Sequence, residues 1–164
     1  MMCNKKHLLF ITRKYPPITG GMENFSFSLY NAIRKKWEDS TLVALGKKQI
    51  HLLWYFPYTV FYTIFHAHAY QSMIVGDSLL CFLGCIAHVF SPKTRRIVIV
   101  YGLDILFENK LYQLYLKLFL KHSADLFVCI SSATEAALRK RGIKNTVIIT
   151  PGIDVDSIDT QKDS

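Results

Sequence analysis

The stretch "YPPITGGMENFSFSLYNAIRKK", Tyr15 to Lys36, sets two prolines and a Gly20–Gly21 pair between the apolar run "HLLFIT" (7–12) and an amphipathic segment. Proline fixes φ, and glycine admits close approaches that a Cβ forbids. The strictest conformational choices therefore fall on one strand-to-helix crossing. In an open α/β sheet such a crossing sits at the carboxyl edge of the strands, where ligands bind.

Working outward, the periodicity switches repeatedly. Residues 21–36 read as a helix with Phe25, Leu29, Ile33 and Trp37 at four-residue spacing. "STLVAL" (40–45) reads as a second strand. Residues 50–60 read as a short helix broken near Pro57, "YTIFHAH" (62–68) as a strand, and 72–90 as an apolar helix. "RRIVIVY" (95–101) is a strand, and 108–122 a helix with Leu111, Leu114, Tyr115, Leu118 and Phe119 on its inner face. "DLFVCIS" (125–131), a helix over 132–141 stopped by Gly142, and "TVIITPG" (146–152) complete the series. Strands rich in β-branched residues alternating with helices predict an α/β, Rossmann-like doubly wound and mostly parallel sheet with helices on both faces. The expected domain spans 1–154, and the polar residues 155–164 read as a linker.

At 164 residues and 51% hydrophobic, the chain has the size and composition of one domain with a real core. A formal net charge of +8 favours acidic partners, and residues 1–48 hold nine basic side chains against three acidic ones. The basic residues are not interleaved with aromatics on one face, so no nucleic-acid partner is expected. Four cysteines show no C-x-x-C pair, Cys81 and Cys85 one helical turn apart read as buried thiols, and a reducing compartment is expected. "IHLLWYFPYTVFYTIFHAHAY" (50–70) is interrupted by Pro57 and falls short of a spanning helix. Trp54, Tyr55 and Phe56 suit a peripheral membrane contact if exposed.

Several residues are placed to bind or react. Gly20 and Gly21 open a helix whose free N–H groups and partial positive charge suit a phosphate, although a tight turn explains them equally. Glu23 in the first turn is either a ligand contact or a partner of the helix dipole. His66 and His68 alternate at strand spacing, yet two histidines make a poor zinc site, and no metal is expected. "YGLD" (101–104) closes a strand with a glycine turn and a carboxylate. Ser131 or Ser132 with Glu135 behind it forms a capping-box pattern with a sufficient structural explanation.

Taken in order, these features resemble the amino-terminal domain of retaining GT-B glycosyltransferases of glycosyltransferase group 1, family four. The matching features are P-P-x-x-G-G-x-E before a helix, H-A-H closing a middle strand, the x-G-L-D turn, and S-x6-L with a later P-G-I-D. The resemblance implies one half of a GT-B fold. It implies an acceptor-side domain of an enzyme that moves a sugar from a nucleotide-sugar to a lipid-linked or polysaccharide acceptor, with retention and without a cofactor. It places Gly20 and Gly21 at the donor diphosphate, Glu23, His68 and Gly102 along the cleft, and Tyr101 and Asp104 at the reacting sugar.

Two departures stand out. Tyr101 occupies the position of a common family histidine, and Thr63 that of an aspartate. Tyrosine donates a hydrogen bond but is no cation at neutral pH. The donor-binding glutamates of the family lie in a second domain or partner chain, so the chain alone is expected to be inactive. The expected location is cytoplasmic, peripheral at an anionic inner membrane face. The competing readings are a nucleotide-binding module and a non-catalytic membrane-docking module. Against the former, the first loop lacks G-x-G-x-x-G and no acid ends "STLVAL".

Overall fold

The computed structural model describes residues 6–45 and 51–150. The expected linker at 155–164, the Pro151–Asp154 end of the last motif and Cys3 lie outside them. Six strands form one sheet in the order β2-β1-β3-β4-β5-β6: β1 (Lys6–Thr12), β2 (Ser40–Ala44), β3 (Tyr70–Val75), β4 (Arg95–Val100), β5 (Leu126–Cys129) and β6 (Thr146–Ile148). Every neighbouring pair is parallel, in register from Leu9↔Thr41 on one side of β1 to Leu9↔Met73 on the other. Strands covered on both faces carry continuous apolar runs, and Leu9, Phe10, Ile11, Val98, Ile99 and Val100 are all fully buried. Each such side chain contributes roughly 1.5–3 kcal/mol by leaving water.

The helices are α1 (Gly21–Lys36), α2 (Leu52–His66), α3 (Phe82–Phe90), α4 (Gly102–Leu106), α5 (Lys110–Phe119) and α6 (Ser132–Lys140). α1 covers one face, where Tyr30 and Ile33 join Leu8, Phe10, Ile74, Ile99 and Val128, with Phe25, Leu29 and Trp37 packed around them. The remaining face carries α2, α3, α5 and α6 through Tyr55, Leu83, Leu116 and Leu138. The chain is thus a doubly wound, Rossmann-like α/β domain. Its first crossover runs to one side of β1 and its second to the other, so the topological switch point lies between β1 and β3.

The middle of the chain departs from the sequence-based expectation. Residues 62–68 are not a strand. They finish α2, which runs unbroken through Pro57, and a 3-10 turn (Ala67–Ala69) follows. Pro57 lies just past the first turn, so it removes only the bond to the carbonyl of Leu53, a residue left in solvent. The third strand is instead Tyr70–Val75, and the helix expected over 72–90 shortens to 82–90. Thr94 locks this register, its hydroxyl reaching the carbonyls of Ala67 (2.9 Å) and Tyr70 (3.1 Å).

A second departure concerns α5. Leu111, Leu114 and Leu118 face solvent rather than the core, and Leu116 is the buried leucine of that helix. At the start of α6, Ser131 caps the N–H of Thr134, while Glu135 turns away to Arg139 and Thr146. Gly142 ends the segment at φ 79, as a helix stop requires.

Candidate functional site

Three strand exits converge at the carboxyl edge beside the switch point. After β1 come Arg13 and Lys14, after β3 Gly76 and Asp77, and after β4 the short helix α4 with Asp104 in its first turn. Gly76 lets β1 and β3 meet closely: its N–H donates to the Ile11 carbonyl at 2.8 Å, and a Cβ there would lie 2.4 Å from the Cβ of Thr12.

Asp77 is fully buried, and its Oδ1 accepts from the N–H groups of Leu79 (2.9 Å) and Leu80 (3.3 Å). Its Oδ2 lies 3.0 Å from Arg13 Nε. Burial pushes the Asp77 carboxyl upward, and the Arg13 guanidinium and both N–H groups pull it back. Asp104 accepts weakly from the Ser78 N–H at 3.4 Å. Burial first, then the neighbouring charge of Asp77, push its carboxyl up to about 6. A carboxyl tuned to that range exchanges protons near neutral pH, the property expected of a general acid or base. Asp104, Arg13, Lys14, Met22, Leu79 and Tyr112 help line an open cleft of about 530 Å³.

On the α1 side, Lys14 Nζ is 3.4 Å from Glu23 Oε1, and Glu23 is buried. The Glu23 carboxylate folds back over Gly20, where a Cβ would come within 2.3 Å of Oε2. Glu23 is the third helical residue after Gly20, the position from which a capping box reaches back. Gly20 therefore makes room for a carboxylate, in an extended conformation open to any residue. Gly21 faces open space, with nothing within 4 Å of where a Cβ would stand.

The sequence-derived residues thus divide. Gly20, Gly21, Glu23 and Asp104 gather at one edge with Arg13, Lys14 and Asp77. His68 does not join them: it is exposed in the turn that precedes β3, at the amino edge, because the third strand begins after H-A-H rather than ending with it. His66 is likewise exposed, stacked 4.5 Å from the ring of Tyr62. Tyr101 closes β4 as expected, yet its ring turns under α1, 1% exposed and edge-on to Phe25 at 6.3 Å. Burial pushes its phenol up, so it stays protonated and buried instead of facing the cleft. Gly102 opens α4 against α6, where a Cβ would lie 3.4 Å from the Thr134 hydroxyl.

Arg13, Lys14 and Asp77 escaped the sequence reading. Arg13 and Lys14 directly follow "LFIT". "VGDS" (75–78) carries a strand-exit glycine and an N-capping aspartate, a signal hidden once the segment is taken as helix. Among the described residues no group of three or more His, Cys, Asp and Glu side chains is arranged to hold a metal ion.

No protein-family model matches the chain, and no curated protein matches it in sequence. Solved structures of similar fold include HepE from Anabaena in complex with UDP-glucose, with a TM-score of 0.67 and 15% identity over 91% of this chain. The same protein solved with UDP and glucose gives a TM-score of 0.61 at 16% identity over 92% of this chain. The chain spans only 45% and 46% of those two neighbours.

Proposed function

We propose that this chain is the acceptor-side half of a glycosyltransferase, which transfers a hexosyl group from a nucleotide-sugar to a lipid-linked or polysaccharide acceptor with retention. The observation that carries this reading is the fold shared with about half of a protein solved with UDP-glucose, its switch-point edge bearing Arg13, Lys14 and Asp104. In this reading Arg13 and Lys14, held in place by Asp77 and Glu23, face the donor diphosphate. The N–H groups at the start of α1 add to the same positive field, and no metal or other cofactor takes part. Asp104, poised near pH 6, faces the transferred sugar and exchanges the acceptor proton. The enzyme works in the cytoplasm at the inner membrane face, in building cell-surface polysaccharide.

The second half, on the same or a partner chain, supplies the remaining donor contacts, so the chain alone is inactive. The experiment is transfer from a panel of nucleotide-sugars to lipid-linked and saccharide acceptors, with the chain alone and with its second half supplied. Turnover only in the completed protein, with the product anomer matching the donor by NMR, is the expected result. Turnover by the chain alone, or inversion at the anomeric carbon, overturns the corresponding part of the reading.

A further inference from the structure

α2 is apolar on its outer face as well as on the face that packs Leu52, Phe56 and Val60 against the core. Its buried positions are Tyr55, Thr59 and Thr63, with the two threonine hydroxyls turned onto backbone carbonyls of the same helix at 2.8–2.9 Å. Its solvent face is the stripe Trp54, Tyr58, Phe61 and Phe65, exposed by 54–76% and spaced four, three and four residues apart. α5, in the same layer, also leaves apolar side chains in water: Leu111, Leu114 and Leu118 are 53–79% exposed, flanked by exposed Lys110, Lys117 and Lys121, the last two on the rim of a cleft with Arg141 and Ile143. α3 lies between them, joined to α2 by the Phe56–Phe82 ring contact and to α5 by Cys85 and the Phe119 carbonyl. It adds exposed Val89 and Phe90, with Lys93 just beyond. Apolar area of this extent in water marks an interaction surface.

We propose that this outer face of α2, α3 and α5 docks flat on an anionic lipid bilayer. The inference rests on the peripheral-membrane part of the reading above, but of the expected Trp54, Tyr55 and Phe56 it keeps only Trp54, because Tyr55 is buried with its hydroxyl on the Thr12 and Val43 carbonyls and Phe56 packs on Phe82. Charge decides the occupant. There is no Asp or Glu from His51 to Gly76 or from Ser78 to Leu103, and α5 itself has none. A second copy of this chain packed symmetrically on the face would offer these lysines no carboxylate from the same helices. An anionic headgroup layer takes the lysines, while its acyl boundary takes the aromatic and leucine stripes. The 15-residue α2 reaches about 22 Å, too short to cross a hydrocarbon core, so it lies on the membrane.

The test is co-sedimentation of the full chain with phosphatidylglycerol-containing and with neutral phosphatidylcholine vesicles, at low and high salt, without nucleotide or acceptor. Trp54 emission is followed with brominated lipids, in a Trp37→Phe background. Binding to the anionic vesicles with Trp54 quenching is expected. The Phe61→Ser/Phe65→Ser variant should lose it while keeping its melting temperature. Charge reversal at Lys110, Lys117 and Lys121 should weaken it at least tenfold, given roughly fivefold per lysine. The proposal is overturned by the absence of vesicle binding, by binding indifferent to both sets of variants, or by a dimer that either set dissociates. Because no sugar donor or acceptor is present, a failure of the transferase reading leaves this result unaffected, and an absence of vesicle binding removes the membrane location from that reading without touching sugar transfer.

Discussion

Arg13 and Asp77, carried by the exits of neighbouring strands β1 and β3, meet 3.0 Å apart at the switch point of the sheet. Asp77 is wholly buried and Arg13 is about one-fifth exposed, so the pair joins a core charge to the rim of the cleft. Removing one member of such a pair strands the other in low dielectric. Arg13→Met should therefore cost roughly 2–4 kcal/mol, somewhat less than a fully buried pair because Arg13 reaches water. Asp77→Asn should cost less, since an amide oxygen can still accept from Leu79 and Leu80. Urea denaturation of both singles and the double checks this. The double variant should recover part of the summed loss, and strict additivity would mean the two charges are uncoupled.

Asp104 makes stability depend on pH. Its folded carboxyl is raised to about 6, above an unfolded value near 4, so between those limits the folded state holds a proton that the unfolded state does not. Its favourable contribution is complete below the unfolded value and is lost as pH rises through about 6. Asp104→Asn should flatten this slope. The variant should gain on the native chain from pH 4 to 7, ending ahead by about 1 kcal/mol after allowance for solvent screening. Thermal melts of both proteins across that range decide it. Parallel curves would show that Asp104 titrates at an ordinary value.

The outline of the fold was legible where helix and strand periodicities differ sharply. α1 declared itself through Phe25, Leu29, Ile33 and Trp37, β1 through the apolar run Leu8–Ile11, and β4 through the unbroken β-branched run Ile97–Val100. The centre was not legible, because α2 is apolar nearly all round and carries Tyr, Phe and Thr in numbers that imitate a strand. Register decides there: Leu8 pairs with Ser72 and Ile11 with Val75, and no local pattern announces those partners. That single shift moved His68 to the far edge and kept Asp77 out of sight. The leucines of α5 were legible as a stripe but not in direction, since periodicity tells which residues share a face and not what the face meets. Tyr101 shows the same limit, its position at a strand end being plain and its burial under Phe25 not.

Gly21 offers the sharpest test of whether the start of α1 serves a diphosphate. It is the first helical residue, and a Cβ there would have nothing within 4 Å. For folding alone, Gly21→Ala should be neutral or stabilising by up to about 0.5–1 kcal/mol, because alanine loses less chain entropy on entering a helix. Gly20 differs: a Cβ there meets Glu23 Oε2 at 2.3 Å, so Gly20→Ala must push the carboxylate aside and loosen its contact with Lys14. That displacement should cost on the order of 1 kcal/mol, since the end of a flexible side chain moves rather than backbone. If a donor diphosphate approaches the Gly21 backbone, the methyl of Gly21→Ala occupies the phosphate's place. The completed two-domain protein should then melt at or above its native temperature while transfer falls at least tenfold. Melting temperature and donor-dependent transfer, measured on the same preparations, check this. Gly21→Ala with both native melting and native transfer would mean that no donor group comes near this glycine, leaving only Gly20, through Glu23, with a structural reason.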